Sequence, residues 1–209
     1  MTPEMTEHLI KVEAAIQGVK PLLARHPYPA DLRTLLVIGF IAQMIEHHEG
    51  MLLLIRNDTV GSACVLARSI FESMYRGLWI NFGASDEQIR AFERDDHLPI
   101  KMPGMARAID ETYHADGLYE ALLNRCWRAL CSYTHTGLLQ LGRRFTGQNV
   151  EPSYTDAEIE EATTTVTTCI LLLVGRFFAA QNYAAERAET EALIATYGLA
   201  VHQNPQPRA

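Results

Sequence analysis

Residues 31–56 read DLRTLLVIGFIAQMIEHHEGMLLLIR. Their apolar side chains follow helical spacing on two stripes, Ile41, Ile45, Leu52 and Ile55 on one face and Leu36, Phe40, Met44, Met51 and Leu54 on another. A helix apolar most of the way round needs neighbours on most sides, so it belongs at the centre of a helical bundle. Asn57, Asp58 and Thr59 punctuate its end.

The flanks carry the same period. Thr2, Pro3 and Glu4 start a first helix that runs to about Arg25, where Pro27 and Pro29 stop it. Downstream, the spacing predicts a helix over 60–82 with the stripe Val60, Cys64, Ala67, Phe71, Met74 and Leu78. A capping box at Ser85 and Gln88 opens a short helix to about Arg94, and another short one covers 105–113. A long helix is expected over 118–144. A second capping box, Thr155 and Glu158, opens a helix to about Tyr183, and a last one covers 186–197. The threonine run 163–168 falls inside a helical pattern, where hydroxyls bond back to the preceding turn.

No period-2 alternation or Asn-Gly hairpin signal is present. The expected fold is all-α, an up-and-down bundle of about five to seven helices in one domain over residues 1–200, with 201–209 as a flexible tail.

The 209 residues are 48% hydrophobic and carry a net charge of −7, which argues against a broad nucleic-acid or anionic-membrane surface. The charge is uneven. Residues 59–85 hold two basic groups and one acidic, and 115–147 hold four and two, so these are the net-positive segments. The four cysteines, at 64, 126, 131 and 169, form no C-x-x-C pair, which fits reduced thiols in the cytoplasm. The N-terminus shows no signal-peptide pattern, and the apolar stretches 35–45 and 169–180 fall short of a spanning helix, so no membrane partner is expected.

Arg68, Glu72 and Arg76 recur every four residues and form one charged line beside the apolar stripe of their helix. Such a line is either a solvated ion-pair ladder or an anion site in which the carboxylate holds a guanidinium in place. His47 and His48 continue the two stripes of the central helix and are expected in packed surroundings, as core histidines or as ligand-binding groups. Arg128 and His135 lie seven residues apart, two helical turns, and so share a face with Cys131. A mid-helix thiol has no free backbone N–H nearby to stabilise an oxyanion, which argues against Cys131 as a nucleophile. Only one Glu-x-x-His, Glu111 to His114, is present, so neither a metal nor another cofactor is expected.

The combination of His47 and His48, Gly61-Ser62-Ala63, Arg68-Ser69, Phe71-Glu72, Arg76-Gly77-Leu78-Trp79, the segment Cys131 to Gly137 with His135, and Tyr154 resembles a family of uncharacterised all-helical bacterial proteins. That resemblance covers about residues 45–180 and implies no particular reaction. More distantly, Arg128 and His135 with six residues between them resemble the motif of HEPN domains, helical bundles of toxin–antitoxin and abortive-infection systems. This resemblance implies a metal-independent ribonuclease acting as a homodimer, with an antitoxin-like protein partner. Ala129 departs from it, because active members carry a polar residue directly after the arginine. Two functions are thus expected: a binding or regulatory module with a compact anion site at Arg68, Glu72, Arg76, His47 and His48, acting as a homodimer or with a protein partner; or an RNA-cleaving enzyme using Arg128 and His135.

Overall fold

A computed structural model describes residues 1–199. The expected tail, 201–209, lies outside the described residues. Within them the chain is all-α, with helices α1 (Pro3–Leu23), α2 (Leu32–Arg56), α3 (Val60–Leu78), α4 (Asp86–Asp95), α5 (Met102–Tyr113), α6 (Leu118–Thr134), α7 (Leu138–Gly142), α8 (Asp156–Ala180) and α9 (Ala184–Thr196). A π-helical turn, Trp79–Gly83, continues α3, and strands β1 (Phe145–Thr146) and β2 (Asn149–Val150) pair antiparallel.

The helix starts follow the local sequence. Asp31 accepts from the Thr34 N–H at 3.0 Å, and Thr2 from that of Met5 at 3.2 Å. Both capping boxes form, Ser85 with Gln88 and Thr155 with Glu158. Arg33 reaches across from α2 to the carbonyls of Ile80 and Ala84. It thereby supplies donors to carbonyls at the end of the π-helical turn.

One apolar core runs from Met5 in α1 to Leu199. Val37, Ile41, Met44, Ile45, Met51, Leu52 and Ile55 bury one side of α2, while Leu36, Phe40 and Leu54 pack half-buried against the same core. The helices around α3 are α2, α5, α6 and α8, and α8 also meets α1 and α9. The approach of α3 to α8 is close: a Cβ on Gly77 would sit 2.6 Å from a methyl of Leu173, a fully buried side chain. By length and composition α8 is apolar enough to cross a membrane, and 61% of its apolar window is buried inside the bundle.

Two expectations about elements are corrected. The helix count among the described residues is nine, above the five to seven expected, and the helix expected over 118–144 ends at Thr134. The stop is a Schellman turn. Thr136 takes the left-handed conformation at φ 52°, and the Gly137 N–H returns to the Ser132 carbonyl at 2.8 Å. A Cβ on Gly137 would lie 2.9 Å from the Ser132 Cα, so the turn requires glycine there. The residues beyond it form α7 and the small hairpin, whose turn passes through Gly147 at φ 63°. Each strand of that hairpin is only two residues long, so the described chain remains all-α.

Candidate anion-binding site

The charged line on α3 forms as spaced. The Arg76 guanidinium donates to Glu72 at 2.6 Å, and the other Glu72 oxygen lies 3.5 Å from Arg68. Arg68 is also held from α6. Its guanidinium carbon lies 4.7 Å above the Trp127 ring, and Nη1 approaches Nε2 of His135 at 2.5 Å. Three kinds of contact fix one cation: a carboxylate, an aromatic face and an imidazole.

The chemistry of that contact sets the roles of its partners. A guanidinium only donates, so in this contact the His135 Nε2 is the acceptor. The His135 side chain is exposed, while Arg68 and Glu72 are half-buried. The imidazole stands at the C-cap of α6, so the turn that ends the helix is also what turns it toward Arg68. Arg128, one residue on from Trp127, is exposed, and no described side chain pairs with it. Arg68, Glu72, Arg76 and Arg128 together leave this surface net positive.

The two histidines of α2 go elsewhere. His48 is fully buried and bonds to the Thr167 hydroxyl of α8 at 2.9 Å. Thr167 itself donates to the Thr163 carbonyl at 2.7 Å, so it accepts from His48, whose Nε2 carries the proton. The Nδ1 of His48 has no partner. Burial holds the ring neutral and lowers its pKa from 6.5 to about 4. A parallel pair lies one turn away on α8, where His8 of α1 meets Thr163 at 2.8 Å and Thr163 donates to the Ile159 carbonyl. Burial lowers the His8 pKa as well, against the opposing pull of Glu160. His47 is half-buried and makes no hydrogen bond to Arg68, Glu72 or Arg76 among the described residues.

The structure therefore brings Arg68, Glu72, Arg76 and His135 together, leaves Arg128 exposed, and buries His48 against α8. Sequence reading missed Trp127 as the platform for Arg68; the ring reads there simply as part of an apolar stripe. It also missed the partners of the threonine run, although the back-bonding of that run was expected and is found at Thr163, Thr167 and Thr168. Among the described residues, no three His, Cys, Asp or Glu side chains cluster as a metal site would.

No curated protein and no solved structure matches the chain. A family model does match, over residues 41–194, which contain every site residue named above. The match covers most of the chain, including both helices that carry the charged line and the imidazole, and so the chain belongs to DUF6988, a family of unknown function.

Proposed function

We propose that this chain is a cytoplasmic binding or regulatory module with one compact anion site where α3 meets α6. The observation that carries the reading is Arg68, stacked on Trp127 and held by Glu72 and His135. A guanidinium fixed this way loses little freedom when it binds, so its fork is pre-organised for a phosphate or carboxylate. Arg76 and Arg128 add charge at the rim. The contacts to Arg68 are reversible: an anion that takes over its donors releases Nε2 of His135.

The test is a thermal shift. Inorganic phosphate and uridine monophosphate at about 10 mM should raise the melting temperature of the wild type, because a ligand of the native state alone stabilises it. Arg68→Ala should abolish the rise. A wild type whose melting temperature does not move would overturn the reading.

The exposed imidazole beside a cation favours one second reading, a HEPN-like metal-independent ribonuclease or toxin. Here Arg128 would hold the scissile phosphate, and the freed Nε2 of His135 would act on the ribose hydroxyl. Cleavage of RNA in excess EDTA, lost in His135→Ala, is its expected signature. No cleavage by the wild type would remove it.

We also propose that the module acts as a homodimer. Five apolar side chains in the short stretch directly after His135 are exposed: Leu138, Leu139, Leu141, Phe145 and Val150. Phe145 and Val150 are cross-strand partners on the hairpin. A cluster of this kind supports an interface beside the anion site.

A further inference from the structure

A second cation lies on the same face of α3 as Arg68. A Cβ built on Gly61 would fall 2.8 Å from Nη2 of Arg144 and 3.0 Å from the Tyr154 hydroxyl, so these two donors converge on one point above the first turn of α3. Gly61 precedes Arg68 by seven residues, which is within about 20° around the helix and roughly 10 Å along it. Neither donor has an acceptor. The Tyr154 hydroxyl is buried without a partner, and Arg144 makes no ion pair within 4 Å among the described residues, whereas the adjacent Arg143 pairs with Glu158. Burial raises the Tyr154 pKa to about 12, so the hydroxyl keeps its proton and remains a donor.

Beside this subsite lies Tyr133 of α6. Its ring packs against that of Tyr154 at a centroid distance of 6.5 Å.

We infer that Arg144 and the Tyr154 hydroxyl form a second anion subsite, about two helical turns along α3 from Arg68, and that the ligand bears two separated phosphate groups. This rests on the proposed anion site at Arg68 and specifies its ligand. One phosphate occupies Arg68 and Arg76, the other occupies Arg144, and glycine at 61 leaves the space in which Arg144 and Tyr154 meet. Neighbouring phosphates of one nucleoside triphosphate are too close together to fill both, so a short phosphodiester strand is the ligand chemistry that spans them.

The experiment compares two probes, a uridylate tetramer and uridine monophosphate, by direct binding measurements on the full chain. The tetramer should bind the wild type at least tenfold more tightly than the monophosphate. In Arg144→Ala the tetramer should lose that advantage, and Tyr154→Phe should reduce it by several fold. Melting temperatures of both variants verify folding, and Arg144 is exposed, so its truncation leaves the core intact. A tetramer advantage that survives in Arg144→Ala would overturn the second subsite while leaving the site at Arg68 in place. A wild type that binds neither probe would overturn the anion site and the second subsite with it.

Discussion

His48 shows how one buried side chain couples this fold to pH. Its ring donates to Thr167 through Nε2 and leaves Nδ1 unpaired in the core, so only the neutral form fits. Its folded pKa of about 4 lies below the unfolded value of 6.5. Between those values the unfolded chain binds a proton that the native chain excludes. Stability therefore rises with pH through that window and levels off above it, with about 2–3 kcal/mol at stake. His8, shifted in the same direction, adds to the slope. Urea unfolding at pH 4.5 and pH 7.5 should show this difference in the wild type and a clearly smaller one in His48→Gln. An unchanged difference would place the proton elsewhere. Arg68 is the opposite kind of residue: half-buried and reached from three sides, it is held in place while still open to solvent.

At the scale of elements, the contact between α3 and α8 fixes where the charged line points. Gly77 allows α8 to come close, and its missing Cβ is replaced by the methyls of Leu173. Because Leu173 is fully buried, it has little room to yield. Gly77→Ala should destabilise the protein by about 1–3 kcal/mol in urea unfolding, the range for overpacking a tight core. Leu173→Ala added to it should cost less than the sum of the two single changes, because the second removes the clash created by the first. Additive costs would show that the two helices adjust independently. The other element that matters is the turn at His135. It was not legible as a turn, because Leu138 and Leu141 extend the apolar spacing of α6 past it. What breaks the helix is the Thr136 and Gly137 pair, whose geometry depends on the close approach to Ser132.

At the scale of the whole molecule, the exposed apolar cluster after α6 bears on assembly. Leu138 is 86% exposed and Val150 is 81% exposed, so the described chain gives them almost no cover. Leu138→Asp should leave the melting temperature of a monomer nearly unchanged, since the side chain already faces water. In sedimentation, the wild type should run as a dimer and the variant as a monomer. A monomeric wild type would remove the homodimer.

The sequence by itself determined the helical class, the apolar helix α2, the starts of α1, α4 and α8 with their capping residues, the charged line on α3 and the back-bonding threonines. Each of these depends on residues within a few positions of one another, where helical geometry alone fixes the distances. Only the tertiary structure decided which helix supplies the second half of each cluster. Trp127 and His135 reach Arg68, Thr167 takes His48 out of the anion site and into the core, and Arg144 comes to rest over Gly61. Those pairs are separated by tens of residues or more along the chain, and their meeting is set by how α3, α6 and α8 pack, which no local period encodes.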